Sequence, residues 1–443
     1  MRANPLVRRL HTASIALLKT AIATCMAALL TASAGCAATP QSRSQAQPAE
    51  IAQAFYQGLL AELSSQAEDF VQAHALMLNL ARTTDDPQAY ERATEFALRA
   101  RDGDTALSTA RAWLKAAPGS HDAARYTIQI LIGMNRLEDT IDPIRADLAA
   151  YPVAERGAAI AELPRYFSRV ADKKRAAMVV QTALAPELSR GRHAAAVWAA
   201  VGTMQVMAAD PASALKSALN GSRAEPGNKQ VAQLALFLVQ SEKSQADDIL
   251  NRFIAAGGGV DSGLSYVRRL LEVGRSEEAY ATVQTLTAQW PASAQAWLLR
   301  GSMAFQNRDY GASGDALARC VGILERAESD PLAPPEDPRL SGQAYLLMAV
   351  LAENEKNFEQ ALAYLDRVTS PQEQRRADQR RVQILLALGR PDAAAEVVSA
   401  MPDEDEEGER AKISAEVELL RARKDEEGAY RLLSEAMARF PKD

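Results

Sequence analysis

The amino-acid sequence predicts an all-α fold, an α-solenoid of about eleven helix-turn-helix repeats. One observation is a spacing of 34 residues from Pro118 to Pro152 and again to Pro186. A second is a small residue followed twelve positions later by a proline, in the pairs Ala106/Pro118, Thr140/Pro152, Ala214/Pro226, Ala279/Pro291 and Ala429/Pro441. Composition agrees, because helix formers dominate and alternating β-branched runs are scarce. One such hairpin cannot bury its apolar face alone, so the hairpins are expected to stack.

Eleven units follow one another along the chain. Their approximate bounds are 49–84, 85–119, 120–153, 154–187, 195–228, 229–259, 261–292, 293–327, 341–371, 373–402 and 408–442. The fifth is the most regular, with Trp198, Gly202, Ala214 and Pro226 at spacings of four, twelve and twelve. Glycines 257–259 predict a helix stop, since a phosphate loop would continue with Lys and Ser or Thr. The acidic, proline-rich residues 328–340 divide the array into 49–327 and 341–443 and predict a hinge or an exposed loop.

The first 48 residues read as a targeting segment and a tether. Four basic residues precede an apolar run over Ala21–Ala34, which is the pattern of a signal peptide covering residues 1–36. Small residues directly before Cys36 resemble the lipobox of bacterial lipoproteins, and this resemblance implies that Cys36 carries lipid. Ala37 rather than Asp then favours the periplasmic face of the outer membrane. The alternatives are cleavage after Ala34, which would give a soluble periplasmic protein, and an uncleaved anchor. Residues 37–48 are polar and predict a flexible tether.

Charge and cysteine content exclude two classes of protein. The chain has 50 basic and 56 acidic residues, and all four charges of residues 1–36 are basic, so the remainder is more acidic than the whole. Sequence-independent nucleic-acid binding needs basic patches, so we expect no nucleic-acid partner. Cys320 alone lies in the repeats, so no disulfide staples them, and a buried small side chain is the simplest interpretation of that residue.

The repeat spacings resemble those of tetratricopeptide repeat (TPR) proteins over residues 50–442, with the fifth unit the closest match. A narrower resemblance is to proteobacterial outer-membrane TPR lipoproteins that act as adaptors for periplasmic carboxy-terminal processing proteases. The residues that carry it are Glu62, Ala81, Arg82, Asp86, Pro87, Arg92, Ala93, Ala106, Trp113 and Pro118. The resemblance implies a tethered scaffold that joins such a protease to cell-wall hydrolases.

No catalytic or metal-binding constellation stands out in the sequence. The histidines after the signal segment, His74, His121 and His193, are far apart, and no nucleophile, zinc or nucleotide motif is present. We therefore expect a non-enzyme without cofactors. By analogy with TPR proteins, the groove-facing positions are Arg125, Gln129, Tyr166, Arg268, Gln295, Leu298 and Phe305. Arginine and aromatic side chains there would suit an extended peptide, and the alternative for each position is an ordinary surface residue.

Three functions remain open at this level. The first is an adaptor that brings envelope proteins together, such as a processing protease and its substrate. The second is an assembly factor for outer-membrane barrels, pili or lipoproteins. The third is a structural protein at the peptidoglycan. Because edge units of solenoids often pair, the sequence also leaves open a homo-oligomer.

Overall fold

The computed structural model describes residues 48–240, 242–329 and 337–440, and in this part of the chain every regular element is helical. The first eleven helices are α1 Pro48–Gln66, α2 Phe70–Thr84, α3 Pro87–Arg99, α4 Gly103–Ala116, α5 His121–Gly133, α6 Ile141–Ala150, α7 Val153–Tyr166, α8 Lys173–Arg190, α9 Ala194–Met207, α10 Pro211–Ala224 and α11 Lys229–Phe237. The remaining eleven are α12 Gln245–Ala255, α13 Val260–Glu272, α14 Ser276–Gln289, α15 Ala294–Gln306, α16 Tyr310–Ser329, α17 Pro338–Asn354, α18 Phe358–Leu365, α19 Pro371–Ala387, α20 Pro391–Ala400, α21 Glu406–Ala422 and α22 Glu426–Arg439. A short 3-10 turn, Glu138–Thr140, precedes α6.

The helices pair into hairpins, and the hairpins stack. The odd-numbered helix, the first of each hairpin, packs against the even-numbered helix that follows it, as α1 does with α2 and α21 with α22, except that α7 and α8 both pack against α9. First helices also contact first helices of the next hairpin, as α7 does with α9, α9 with α11, α17 with α19 and α19 with α21. The predicted all-α solenoid of hairpin repeats is therefore confirmed.

The predicted signal peptide, the lipidation site Cys36 and the tether before Pro48 lie outside the described residues. So do residues 330–336 of the proposed break, whose flanks are the end of α16 and the start of α17. Within the described ranges, no helix is both long and apolar enough to span a bilayer.

One local motif closes most of the hairpins. A residue in the left-handed conformation directly precedes an Asp or Asn whose side chain accepts the backbone N–H three residues later. Arg101 with Asp102, Ala209 with Asp210 and Lys356 with Asn357 are examples. The cap satisfies an N–H group that the helix start leaves unpaired. Two turns instead use glycine, at Gly274 and Gly389, and these are followed by arginine without a side-chain cap.

Small residues allow close helix contact in the fifth hairpin. A Cβ atom on Gly202 would lie 2.2 Å from Leu234 Cδ2 and 3.2 Å from Ser217 Cβ. Ala214 and Ala218 are fully buried beside it. The regular spacing of the fifth unit thus reflects contacts that α9 makes with α10 and α11. Cys320 is likewise fully buried, in the core between α15, α16 and α17.

The prediction that Pro186 marks the end of the fourth unit is wrong. Pro186 lies inside α8, which continues to Arg190 and ends at Gly191. A proline within a helix leaves the carbonyl four residues earlier, here that of Thr182, without its usual N–H partner. The guanidinium of Arg145 on α6 donates to this oxygen, with Nη2 2.8 Å from Thr182 O, and its Nε is 3.3 Å from Ala183 O. A side chain from the preceding hairpin therefore supplies the hydrogen bond that α8 lacks.

Candidate binding surface on the first helices

Polar and aromatic side chains meet between the third and fourth hairpins. His121 and Arg125 lie on α5, Asp147 on α6, Tyr151 directly after α6, and Tyr166 at the end of α7. We call these five residues the His121 cluster. It brings together two of the residues predicted to face a groove, Arg125 and Tyr166.

The His121 imidazole is held from two sides. Its Nδ1 lies 2.7 Å from Asp147 Oδ1, and its ring stacks on Tyr151 with centroids 3.7 Å apart. The Asp147 side chain is only 11% exposed, whereas His121 is 39% exposed. When Asp147 is ionised, the Nδ1–H donates to the carboxylate, and Nε2 of the neutral ring is then a hydrogen-bond acceptor.

Burial dominates the electrostatics of the cluster. It raises the pKa of Asp147, against the opposing effects of the His121 hydrogen bond and the Arg125 charge. Burial also raises the pKa of Tyr166, with the nearby Asp147 charge adding to the effect. Tyr166 therefore keeps its phenolic proton at neutral pH and can donate it in a hydrogen bond.

An aspartate beside a histidine is also a common arrangement in hydrolases, where the histidine activates a nucleophile. In the described structure, the hydrogen bonds of the His121 cluster include no Ser, Thr or Cys side chain. Arg125 forms an ion pair with Asp122, three residues earlier in the same helix, at 2.8 Å. The arrangement suits recognition of a polar or aromatic group by hydrogen bonding and stacking.

A second feature lies near the C-terminal end of the chain. It is a cavity of about 650 Å³ lined by first helices alone, α17, α19 and α21. Its lining residues are Gln343, Gln372, Glu373, Arg375, Arg376, Gln379, Glu407, Arg410 and Ala411. We call it the arginine cavity, since three arginines face two glutamates.

The arginines of this cavity differ in how they are held. Arg375 Nη1 lies 2.8 Å from Asp405 Oδ2, and its Nη2 lies 3.2 Å from Glu407 Oε2. Both carboxylates are mostly exposed, and the hydrogen bond from the Gly408 N–H, followed by that from Arg375, lowers the pKa of Asp405. Arg376 is exposed and makes no ion pair with any described residue. Guanidinium groups so placed can bind carboxylates in a bidentate manner.

The other predicted groove residues are scattered. Gln129 on α5, Arg268 on α13 and Gln295 on α15 are exposed. Phe305 is half-buried and packs against Tyr310, with ring centroids 5.6 Å apart. Leu298 is 7% exposed and belongs to the core of α15–α17, which argues against a direct role in binding.

Asp147, Tyr151 and the lining of the arginine cavity were missed by the sequence reasoning. Asp147 is 26 positions from His121, and no repeat spacing links the two. A signal for the cavity was present, namely the arginine-rich start of α19 with Arg375, Arg376, Arg380 and Arg381. Among the described residues, no group of three His, Cys, Asp or Glu side chains is arranged to hold a metal ion.

Comparison with known proteins gives no family assignment. No protein-family model matches the chain, and no curated protein matches it. Among solved structures, it is similar to a tetratricopeptide repeat protein from Parabacteroides merdae, at 15% identity, 64% of this chain, 92% of that chain and a TM-score of 0.32. It is also similar to Tom70 of yeast, at 11% identity, 88% of this chain, 85% of that chain and a TM-score of 0.29. A third is the MamA protein, at 14% identity, 50% of this chain, 92% of that chain and a TM-score of 0.30. These scores are too low to support a functional argument, and the fold assignment rests on the stacked hairpins themselves.

Proposed function

We propose that this chain is a non-enzymatic scaffold whose first helices bind an extended segment of a partner protein. The arginine cavity carries the proposal, because side chains of three successive hairpins line it and no second helix contributes. A segment that binds there would cross several repeats, and such a mode suits an extended peptide. The arginines favour a segment that contains Asp or Glu.

The ion pairs of Arg375 support an exchangeable site. Asp405 and Glu407 are 61% and 81% exposed, and pairs with such exposed carboxylates contribute little to folding stability. A carboxylate of the bound segment can therefore replace them at small cost. The His121 cluster would add a second contact, in which Arg125 and Tyr166 bind a polar or aromatic group.

In its narrower form, the proposal is that the scaffold is anchored by lipid at Cys36 on the periplasmic face of the outer membrane. There it would link a carboxy-terminal processing protease to cell-wall hydrolase substrates. The lipobox-like end of residues 1–36 and the resemblance of residues 59–118 to such adaptors support this form.

The test is a crosslinked pull-down of the full-length protein from envelope fractions, read by mass spectrometry. We would compare the natural chain with Cys36→Ala, with Arg125→Glu combined with Arg268→Glu, and with Arg375→Glu combined with Arg376→Glu. Arg111→Glu, an exposed arginine on the second helix α4, is the matched control.

We expect the natural chain and Arg111→Glu to recover the same partners, including a protease and cell-wall hydrolases. The two double variants should lose these partners while their helix content, measured by circular dichroism, is unchanged. Equal recovery by all variants would refute binding at these first helices. Recovery of barrel-assembly or pilus components without a protease would instead identify an assembly factor.

A further inference from the structure

The first helix exposes a stripe of large apolar side chains. Ile51, Phe55, Leu59 and Leu63 follow one another at intervals of four residues and are 60%, 69%, 46% and 49% exposed. Residues four apart lie along one ridge of a helix, so these side chains form a continuous surface. We call it the α1 stripe. Tyr56 on α1 and Val71 on α2 are also mostly exposed.

This surface is unusual for the end of a repeat array. Terminal repeats ordinarily present a polar outer face, because no further repeat covers them. The last helix, α22, follows that rule in part: its exposed Tyr430 and Met437 alternate with charged residues such as Arg431 and Glu435. The α1 stripe has no such interruption, and exposed apolar surfaces of this kind mark interaction sites.

The stripe carries almost no charge. Helix α1 contains no Lys or Arg, and its acidic residues are Glu50 and Glu62. Both carboxylate oxygens of Glu62 lie 2.7 Å from the guanidinium of Arg92 on α3, so its charge is compensated by the following hairpin. Whatever covers the stripe is therefore attracted by the hydrophobic effect and not by charge.

The chain that precedes α1 limits what can cover the stripe. Eleven residues, 37–47, connect Cys36 to the first residue of α1. Fully extended they span about 40 Å, and as a flexible chain they reach about 18 Å on average. If Cys36 carries lipid, α1 stays beside the bilayer at a high local concentration, so even a weak affinity for lipid suffices to hold it there.

We propose that α1 lies in the surface of the bilayer, with the side chains of the α1 stripe at the boundary between headgroups and acyl chains. The inference rests on the proposed lipid at Cys36 and adds a second contact with the same membrane. An interfacial helix and one lipid anchor together would hold the first hairpin flat on the membrane, as two-signal anchoring does elsewhere. Because the stripe lacks cationic residues, the contact does not require anionic lipid.

The test places a fluorescent label at position 55 of the full-length, processed protein. Phe55→Cys provides a single accessible thiol, since Cys320 is buried and Cys36 would be acylated. Phe237→Cys is the matched control, because Phe237 is 70% exposed on α11, far from α1 in the chain. Both proteins are labelled with an environment-sensitive dye and reconstituted in phosphatidylcholine vesicles. A nitroxide-bearing lipid and aqueous iodide then serve as quenchers.

We expect the label at position 55 to be quenched several-fold more by the nitroxide lipid than the label at position 237, and to be shielded from iodide. Raising NaCl from 0.15 to 1 M should leave this pattern unchanged. Adding Leu59→Ser and Leu63→Ser to Phe55→Cys should restore access of iodide without a loss of helix content.

Equal quenching at both positions would overturn the proposal. So would a label shielded from both quenchers in a protein that sediments as a dimer, since a second copy would then cover the stripe. The mass of the purified protein reports acylation of Cys36 separately. Loss of the anchor can therefore be told apart from an anchored protein whose α1 stays in water.

Discussion

Replacing Arg275 by Met should destabilise the junction between the sixth and seventh hairpins. Asp247 is fully buried and accepts hydrogen bonds from Ser244 N–H at 2.7 Å, Tyr266 Oη at 2.8 Å and Arg275 Nη1 at 2.9 Å. Arg275 itself is 7% exposed on its side chain and donates to both oxygens of Glu278 at 2.8 Å. The substitution removes the only cation that contacts Asp247 among the described residues.

The size of the stability loss in Arg275→Met follows from the contacts that Asp247 keeps. Breaking a buried ion pair by removing one member costs about 3–5 kcal/mol, because the other charge stays buried. Asp247 would keep hydrogen bonds from the N–H and the hydroxyl of Ser244 and from the Tyr266 hydroxyl, so we expect a loss of about 3 kcal/mol, the lower end of that range. Asp247→Asn combined with Arg275→Met should lose less than Arg275→Met alone, since no unpaired charge then remains.

The sign of the pH dependence also follows. Burial would raise the pKa of Asp247, but the Ser244 N–H, the Tyr266 hydroxyl and Arg275 together hold it below its ordinary value of 3.8. The folded pKa is lowered, so the stabilisation is present above pH 3.8 and is lost as the pH falls through the folded pKa. The difference between the natural chain and Arg275→Met should therefore shrink on acidification.

The assay is amide hydrogen exchange, because a long repeat array need not unfold in a single step. Amides of α12, α13 and α14 should exchange faster in Arg275→Met at pH 7, and those of α3 and α4 should not. Exchange in the double variant as fast as in Arg275→Met would refute the reasoning, since it would show that the unpaired charge costs nothing.

Two further predictions concern packing and the backbone. Arg145→Met should lower the free energy of unfolding by about 1 kcal/mol, because the Thr182 carbonyl loses its donor. Adding Pro186→Ala restores a helical N–H for that oxygen. A thermal melt in which the double variant is destabilised as much as Arg145→Met alone would contradict this account. Gly202→Ala should cost about 1–3 kcal/mol through overpacking against Leu234. Gly314→Ala on α16 is its control, since a Cβ there meets nothing within 4 Å, and urea unfolding that ranks the two equally would exclude the packing explanation.

The fold could be predicted because its signal is local and repeated. A small residue twelve positions before a proline recurs along the chain, as in Ala214/Pro226 and Ala279/Pro291, and Asp86 with Pro87 marks a helix start from sequence alone. Pro186 misled because a proline interrupts a helix only when nothing compensates for its missing N–H. The compensating residue, Arg145, lies 37 positions before the carbonyl that it contacts.

The candidate site could be predicted only in part, for a related reason. Arg125 and Tyr166 were found because they occupy outward positions on first helices. Asp147 was not found, because its role depends on its burial and on its contact with His121, which lies on the neighbouring helix α5. The repeat position of Leu298 predicted that it faces the groove, as Gln295 does, but α17 packs over it. Periodicity gives the face of a helix, whereas the contacts across that face depend on the neighbouring hairpins.

The chain uses ion pairs in two different ways, and salt should separate them. The Asp247–Arg275 pair is buried, so added ions cannot reach it and screening is weak. The pairs of Arg375 with Asp405 and Glu407 face solvent, and a carboxylate of a bound partner would face solvent there as well. Raising NaCl from 0.15 to 1 M should therefore release a partner held at the arginine cavity, while hydrogen exchange in α12–α14 stays the same. The partner could instead stay bound at 1 M NaCl and yet be lost in the double variant Arg375→Glu, Arg376→Glu. That result would mean that shape and apolar contacts hold the partner and that exchange of carboxylates does not.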